Sequence, residues 1–531
     1  MTTPPTTFQR RIVIGAVICI AAFALVGVRL VDVTLLKSAG VPAAHNAFAN
    51  LIRADIVDRN GELVARDLPV GDLYAHPKLL ADKRRAAHEL AVATGADEKR
   101  LADMFLGKHP YVLVARQLTP DVRDKVKVLH LPGLEFQAGA KRYYPDGRMT
   151  AQVLGVTNTD GKGISGLELG LDPKLRGEKP GDKIETSLDM RVQFILAHET
   201  QESMKEFKAR AAGGVVLDVR TGEVLAMVSL PDFDPNARDF GAGDSTRNIM
   251  VQDVYELGSV FKIFAFALAM QDHTVRLDQQ LPIGNGYKIG RYTIHEAERM
   301  PATLAVRDVL AQSSNIGTAQ IALLSGAERQ RAFLTMLGLL SPLSTELPES
   351  ARPLYPSHWG DIETATIGFG HGISVSPLAF AAAAATVVNG GRKIVPTFLK
   401  HPADARGAQL ISPQTSATMR QLLRYVVTDG TGKKADVPGY DVGGKTGSAE
   451  KNGPHGYIAH RLITSFCAAF PIEDPRYLVF VMLDEPHGTK ATSGFALAGY
   501  TAAPLAGHVI SRIAPLLGVP MKPVPLVKEN S

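Results

Sequence analysis

A long uncharged segment near the N-terminus decides on which side of a membrane the rest of this chain must fold. Residues 12–28 carry no charge, and two arginines stand directly before them. At 1.5 Å per residue this run gives roughly 25 Å of helix, slightly less than the ~30 Å of a hydrocarbon core. Apolar side chains continue to Leu36, and the two embedded charges lie near a helix end, where long side chains reach the interface. We therefore predict a transmembrane anchor at residues 12–36 after a cytoplasmic tail at residues 1–11.

The same segment has a second interpretation, a signal peptide that is removed after export. The sequence Ala47-Phe48-Ala49 offers a cleavage site, but it lies about twenty residues beyond the run, and the run is itself long for the apolar core of a signal peptide. Because the basic pair precedes the run and no comparable cluster follows it, the N-terminus is predicted to be cytoplasmic and the chain from about residue 38 extracytoplasmic. The later apolar stretches 260–270 and 378–388 are too short to span a membrane and are predicted to be buried helices.

Composition narrows the class of protein. Of 531 residues, 45% are hydrophobic and 21% are charged, which is typical of globular domains and excludes general disorder, collagen and a polytopic membrane protein. A net charge of +5 without a basic block does not indicate a nucleic-acid partner. Cys19 and Cys467 stand in different surroundings, so neither a disulfide framework nor a thiolate zinc site is expected. The spacing of His455 and His460 only loosely resembles a zinc pair, and no metal is predicted.

The residue pattern after the anchor changes once, at a turn-rich linker near residue 180. The part before it, residues 39–180, begins with a hairpin signal at Asp58-Arg-Asn-Gly61. The part after it, residues 181–520, has strand patterns at both ends and helical patterns between them, which predicts one α+β domain. Residues 521–531 form a tail. The strand patterns lie at 214–228, 440–446, 465–470 and 477–483, and a further helical pattern lies at 303–325.

Three short motifs in the second domain carry the candidate chemistry. They are Ser259-x-x-Lys262, Ser313-x-Asn315 and Lys445-Thr446-Gly447, the last followed by Ser448. Taken singly, each has an ordinary structural interpretation: a capping serine with a lysine one turn on, a polar helix end, and a strand end with a glycine turn. Together and in this order they are the signature of serine acyl transferases that react with penicillin.

The pattern S-x-x-K occurs twice, and physical context separates the two copies. Ser259 opens an apolar helical stretch, where positions i and i+3 share a face and Lys262 can reach the serine hydroxyl. Burial lowers the pKa of such a lysine and leaves a neutral amine that can act as a base. Ser448 instead ends a strand, and in an extended chain Lys451 points to the opposite face. Ser259 is therefore predicted to be the nucleophile.

These motifs resemble those of the class B penicillin-binding proteins, and most closely those of the septal, cell-division type. Further similar segments are Arg53–Ala65, Arg142–Pro145, Gly161–Glu168, Arg247–Ser259, Gly368–Pro377 and Val442–Ser448. Leu257 stands where this family usually has proline. The resemblance implies a transpeptidase domain of the penicillin-binding and serine β-lactamase-like α+β fold, preceded by an elongated pedestal domain and one transmembrane helix.

The resemblance also implies a catalytic role for four residues. Ser259 would attack the carbonyl between the last two D-alanines of a peptidoglycan stem peptide, while Lys262 takes its proton. Ser313 would relay a proton to the leaving nitrogen, and Asn315 would hydrogen-bond the substrate amide. A neighbouring stem amine then attacks the ester to complete the cross-link. No cofactor is implied.

The same resemblance implies that the strand with the third motif binds the substrate. Lys445 and Thr446 suit the terminal carboxylate of the stem peptide, one by charge and one by its hydroxyl. Gly447 would let the substrate lie close along the strand edge. Backbone N–H groups of Ser259 and Ser448 would form the oxyanion hole.

The implied partners are stem peptides, β-lactams as covalent inhibitors, and membrane proteins of the division machinery. These include a separate glycan polymerase, because nothing in the chain resembles a glycosyltransferase module. The implied location is the bacterial inner membrane, with one spanning helix and the catalytic domain outside the cytoplasm. Three alternatives remain: a D,D-carboxypeptidase or β-lactamase that passes the ester to water, a β-lactam sensor, and a mainly structural division scaffold. The anchor and residues 39–180 argue against a small soluble hydrolase, and the intact motifs argue against a scaffold.

Overall fold

The structure, a computed structural model, describes residues 53–177, 182–237, 243–401, 407–453 and 456–523, together with the isolated positions 21 and 24. Within these ranges, no helix combines the length and the apolar character that crossing a membrane requires. The predicted anchor at residues 12–36 lies outside the described residues except at positions 21 and 24.

The described residues contain strands β1 to β14 and helices α1 to α15. The strands are β1 (Asp55–Val57), β2 (Leu63–Ala75), β3 (Val112–Leu118), β4 (Leu134–Tyr143), β5 (Lys183–Glu185), β6 (Ala211–Asp218), β7 (Val224–Leu230), β8 (Gln280–Pro282), β9 (Tyr287–Ile289), β10 (Tyr292–Ile294), β11 (Thr303–Ala305), β12 (Gly443–Gly453), β13 (Gly456–Phe470) and β14 (Tyr477–Asp484). The helices are α1 (Lys83–Thr94), α2 (Glu98–Leu106), α3 (Pro120–Val128), α4 (Ala151–Leu154), α5 (Gly166–Gly170), α6 (Asp172–Gly177), α7 (Met190–Glu206), α8 (Lys262–Gln271), α9 (Val306–Ala311), α10 (Asn315–Ser325), α11 (Ala327–Met336), α12 (Asp361–Gly368), α13 (Pro377–Val388), α14 (Pro413–Thr428) and α15 (Ala502–Leu516).

The chain divides into two compact units. Among the residues beyond 52, the smaller unit contains 69–141 and the larger unit contains 53–68 and 142–523. In the smaller unit, the second part of β2 pairs antiparallel with β3. Helices α1, α2 and α3 contribute Leu90, Phe105 and Val126 to its own apolar core.

A five-stranded antiparallel sheet in the larger unit joins distant parts of the chain. Its order is β12-β13-β14-β6-β7, so the last three strands in sequence lie beside β6 and β7. The register opposes Lys445 to Cys467 and Val481 to Gly214. The prediction that strands at both ends of this region enclose helices in an α+β arrangement is confirmed. The hairpin predicted at residues 214–228 is also confirmed, since β6 and β7 pair antiparallel.

Two helices of the larger unit are apolar on nearly every side, and the core surrounds them. All twelve residues of α13 are buried, as are residues 262–270 of α8. The rings of Phe261, Phe264 and Phe380 lie 5.2 to 5.6 Å apart, and Phe380 also contacts Phe480 of β14 at 5.3 Å. The prediction of buried helices at 260–270 and 378–388 is confirmed. This packing fixes the start of α8 against the sheet.

A buried ionic network in the larger unit connects segments that the sequence analysis singled out one by one. Glu168 is fully buried and accepts hydrogen bonds from Arg53 Nε (2.9 Å) and Arg142 Nε (2.6 Å). Arg142 also donates to Asp67 (3.2 Å), and Arg53 forms a short ion pair with Asp172. Since an uncompensated charge is costly in the protein interior, each member depends on the others.

We expect the substitution Glu168→Gln to destabilise the protein by about 3–5 kcal/mol, because it leaves two buried guanidinium groups without their shared counter-charge. Thermal and denaturant unfolding measure the change. The matched control is Asp474→Asn, which breaks an exposed ion pair with Arg220 and should cost less than about 1 kcal/mol. Equal stability of the Glu168→Gln and Asp474→Asn variants would contradict the importance of the network.

Candidate active site

The three sequence motifs lie on three different elements of the larger unit, and the fold brings them together. Ser259 is half-buried in a 3-10 turn, Gly258–Phe261, and Lys262 is the first residue of α8. Ser313 lies in the break between α9 and α10, and Lys445 lies on β12. The helical pattern predicted for residues 303–325 is therefore interrupted at the second motif.

Two lysine side chains converge on the hydroxyl of Ser313. Lys262 Nζ donates to Ser313 Oγ (3.1 Å), to Asn315 Oδ1 (2.9 Å) and, over a short distance, to the carbonyl oxygen of Ser313. Lys445 Nζ donates to the same Ser313 Oγ (2.9 Å). The described hydrogen bonds of Lys262 include none to Ser259 Oγ. Ser313 of the second motif therefore connects Lys262 of the first motif to Lys445 of the third through hydrogen bonds.

Burial shifts the acid–base behaviour of both lysines. Both side chains have no exposed surface, and desolvation lowers the pKa of Lys262 to about 7, against a smaller raising effect of Glu296. Desolvation, with the charge of Lys262 nearby, also lowers the pKa of Lys445 well below its ordinary value. Because low-dielectric surroundings disfavour the ammonium form, a neutral amine is available here near neutral pH.

An unusual backbone conformation places Ser313 between the lysines. Its φ angle is +64°, a left-handed conformation that a non-glycine residue seldom adopts. Ser314 then caps α10, since its Oγ accepts from the backbone N–H of Gly317 (3.0 Å). Glu296 accepts from the backbone N–H groups of Asn315 (2.8 Å) and Ile316 (3.0 Å). A carboxylate is stabilising at the positive N-terminal end of a helix dipole, so Glu296 favours the start of α10 at Asn315.

Sequence reasoning missed Glu296 and a second residue, Thr431. The hydroxyl oxygens of Thr431 and Thr446 lie 2.7 Å apart in a hydrogen bond, and Lys445 Nζ also donates to the Thr446 carbonyl (3.1 Å). The glycine-flanked sequence around Thr431 marks a turn, but it carries no sign of its partner. Glu296 lies in an irregular segment and has no local signal at all.

Backbone contact between the Ser259 turn and β12 explains two glycines of the motifs. A Cβ atom at Gly447 would lie 2.4 Å from the carbonyl oxygen of Leu257, and one at Gly258 would lie 2.7 Å from that of Ser448. Side chains at these positions would push the Ser259 turn away from the strand. Gly447 is therefore needed for this packing, whatever its contact with substrate.

The second S-x-x-K copy forms no serine–lysine pair. Ser448 Oγ accepts a hydrogen bond from the backbone N–H of Ala498 (3.0 Å), while Lys451 Nζ lies 2.8 Å from both carboxylate oxygens of Asp484 and 2.9 Å from Glu485. Strand β12 continues to Gly453, so the prediction that Ser448 ends a strand is wrong. The strand extends because these acidic partners on and after β14 satisfy the charge of Lys451.

Metal chemistry has no candidate centre in the part of the chain that the structure describes. No group of three or more His, Cys, Asp or Glu side chains there is arranged to hold an ion. His455 of the loose histidine pair lies outside the described residues. Cys467 is buried, and burial raises the pKa of its thiol.

Two family profiles match this chain. The profile described as "Penicillin binding protein transpeptidase domain" matches residues 212–506, and "Penicillin-binding Protein dimerisation domain" matches residues 49–202. Among curated proteins, the "Probable peptidoglycan D,D-transpeptidase FtsI" of Caulobacter vibrioides is 40% identical over 493 residues, which are 90% of this chain and 84% of that protein. The "Peptidoglycan D,D-transpeptidase FtsI" of Escherichia coli K12 is 30% identical over 489 residues, 86% and 83% of the two chains.

Solved structures give the same result for the fold. Penicillin binding protein 3 from Mycobacterium tuberculosis in complex with ampicillin aligns with a TM-score of 0.71 and 26% identity, covering 89% of this chain and 97% of that one. The fold and the motifs are thus those of a transpeptidase domain that follows a dimerisation domain. The chain belongs to the penicillin-binding protein transpeptidase family, and the resemblance to its septal class B members is confirmed.

We expect penicillin acylation to rise about tenfold per pH unit up to about pH 7 and then to level off, because Lys262 must lose its proton to act as a base. Stopped-flow labelling with a fluorescent penicillin measures this rate. Lys262→Arg, whose guanidinium keeps its proton, should lower it by about 10²- to 10⁴-fold. Glu296→Gln should move the midpoint to lower pH, because the Glu296 charge raises the pKa of Lys262. A rate that does not change between about pH 5.5 and 8 would contradict the assignment.

We also expect labelled penicillin to attach to Ser259 and not to Ser448, because Lys451 is committed to its acidic partners. Ser259→Ala should abolish the adduct and leave the unfolding temperature nearly unchanged. Ser448→Ala should only slow labelling, since it retains the backbone N–H and loses the bond to Ala498. Peptide mapping decides the matter, and a label that persists in Ser259→Ala would disprove the nucleophile.

Proposed function

We propose that this chain is a serine D,D-transpeptidase that cross-links peptidoglycan stem peptides during septal cell-wall synthesis and that β-lactams acylate. The observation that carries the proposal is the buried pair Lys262 and Lys445, whose lowered pKa values and shared contact with Ser313 suit proton transfer beside Ser259. The names of the relatives and the β-lactam complexes of the similar structures support it.

Acylation begins when Lys262, as a neutral amine, removes the proton of Ser259. The serine oxygen then attacks the carbonyl carbon between the two terminal D-alanines and forms a tetrahedral oxyanion. Backbone N–H groups of Ser259 and Ser448 stabilise this oxyanion, and the contact of the turn with β12 keeps them together. When the C–N bond breaks, the proton passes through Ser313 to the nitrogen of the departing D-alanine. The ester on Ser259 remains.

Substrate recognition falls to Lys445, Thr446 and Asn315. Desolvation lowers the pKa of Lys445, and the carboxylate of a bound stem peptide raises it again by stabilising the ammonium form. The hydroxyl of Thr446, oriented by Thr431, donates to the same carboxylate. Asn315, whose Oδ1 accepts from Lys262 Nζ, bonds the substrate amide.

The second half-reaction transfers the acyl group to an amine of a neighbouring stem. The amine nitrogen attacks the ester carbon, gives up a proton to the base, and releases Ser259 with its proton restored. The product holds one new amide bond in place of the D-Ala–D-Ala bond that was broken, so no external energy source is needed. A water molecule in place of the amine would give hydrolysis instead.

We further propose that residues 12–36 anchor the protein in the inner membrane, with residues 1–11 in the cytoplasm and the catalytic domain outside. Residues 39–180 act as the pedestal domain and residues 181–520 as the transpeptidase domain. The uncharged run and its preceding arginines support the anchor, and the dimerisation profile at 49–202 supports the pedestal. The pedestal binds membrane proteins of the division machinery, including a separate glycan polymerase.

The decisive assay supplies the full chain with lipid-linked precursor and a separate glycan polymerase. We expect dimeric muropeptides as the main product, none with Ser259→Ala, and none after treatment with penicillin. A matched serine control, Ser511→Ala on the exposed face of α15, should cross-link as the wild type does. Release of D-alanine without dimers would identify a carboxypeptidase and contradict the transpeptidase.

A further inference from the structure

The carboxylate of Glu256 holds the chain immediately before Ser259, and the mechanism above gives this residue no role. Its Oε2 accepts a hydrogen bond from Tyr457 Oη (2.8 Å). Its Oε1 accepts from Asn452 Nδ2 (3.0 Å) and from the backbone N–H of Gly372 (3.2 Å). The three donors lie on β13, on β12 and in the loop between α12 and α13. One carboxylate therefore joins three separate segments three residues before the proposed nucleophile.

Backbone hydrogen bonds on both sides of Glu256 connect the same loop to the same turn. Tyr255 and Val375 exchange N–H···O bonds of 3.0 and 3.1 Å, and the Gly258 N–H donates to the carbonyl of Gly370 (3.3 Å). Glu256 lies between these two attachments, and its side chain adds the strands to them. The position of the Ser259 turn is thus fixed relative to the loop between α12 and α13 and relative to strands β12 and β13.

Tyr457 extends this arrangement toward the buried base. Its ring contacts that of His371 with centroids 5.4 Å apart, and His371 contacts Phe369 at the same distance. Burial and the nearby Lys262 lower the pKa of His371 to about 4, so the imidazole beside the lysine is neutral at neutral pH. The Glu256–Tyr457 hydrogen bond therefore orients the ring that packs against this neutral imidazole.

The energetics of Glu256 favour a fixed geometry. Burial raises the pKa of its carboxyl group, and the three hydrogen bonds lower it, chiefly the one from Tyr457. A partly desolvated carboxylate that accepts three donors is costly to move, because each displaced donor loses its partner.

We propose that Glu256 is a positioning residue for acylation, which fixes the turn of Ser259 against β12, β13 and the loop around Gly372. The inference rests on the proposed acyl-transfer function, in which the serine oxygen must reach a carbonyl carbon at bonding distance. A displacement of about 1 Å in such a group costs on the order of 100-fold in rate. Substrate carboxylate binding by Lys445 and Thr446 does not involve Glu256, so the effect falls on the reaction step.

The test measures acylation of the full chain by benzylpenicillin in stopped flow, which separates the noncovalent Kd from the first-order acylation constant. We expect Glu256→Ala to lower the acylation constant by about 10- to 100-fold and to change Kd by less than about threefold. Glu256→Gln, which keeps one acceptor oxygen, should give an intermediate loss. Tyr457→Phe removes a single hydrogen bond and should lose less than Glu256→Ala. The matched control, Glu206→Gln at the exposed end of α7, should react as the wild type does.

Each outcome separates a positioning role of Glu256 from a role in ligand binding or in folding. A Glu256→Ala acylation constant within about twofold of wild type would overturn the proposal, and so would a loss confined to Kd. If Glu256→Ala does not fold, Tyr457→Phe decides, since it only removes a hydroxyl: wild-type acylation in this variant overturns the proposal. A wild-type chain that takes no penicillin at any pH overturns the proposed function itself, which distinguishes that failure from the failure of Glu256 alone.

Discussion

The site depends on two lysine amines that donate to one serine hydroxyl inside the protein. Lys262 and Lys445 are completely buried, and both lie within hydrogen-bond distance of Ser313 Oγ. Two ammonium groups cannot both remain charged at low cost in such surroundings, because desolvation and mutual repulsion act in the same direction. The result is a base whose pKa is lowered to about 7 and a second amine whose pKa also lies well below its ordinary value. Ser313 links the two proton sites.

The rest of the larger unit serves to hold these three residues in place. Helices α8 and α13 are buried so completely that Lys262 has little freedom at the start of its helix. Glu296 neutralises the N-terminus of α10 and fixes the left-handed backbone at Ser313. Backbone contact at Gly447 joins the strand of Lys445 to the Ser259 turn. The network around Glu168 stabilises the first part of the same unit.

Local sequence patterns predicted those features that local physics decides. The hairpin at 214–228, the buried helices and the separation of Lys451 from Ser448 followed from periodicity, turn residues and apolar context. The backbone conformation of Ser313 could not be predicted from the local sequence. Its positive φ angle depends on contacts with Glu296 and with both lysines, which come from elsewhere in the sequence. The predicted end of β12 was wrong because the acidic partners of Lys451 lie on β14 and directly after it. Glu256 was missed since its three donors are distant in sequence and have no common motif.

The most direct measurement is the pKa of Lys262 itself, read from the side-chain ¹³Cε shift of ¹³C-lysine-labelled protein as a function of pH. Lys262→Arg assigns the signal by its loss. Burial among Ser313, Asn315 and Lys445 predicts a transition at about pH 7. If every lysine of the folded protein, including Lys262, titrates near the ordinary value of about 10.4, the buried neutral base does not exist and the mechanism built on it is wrong.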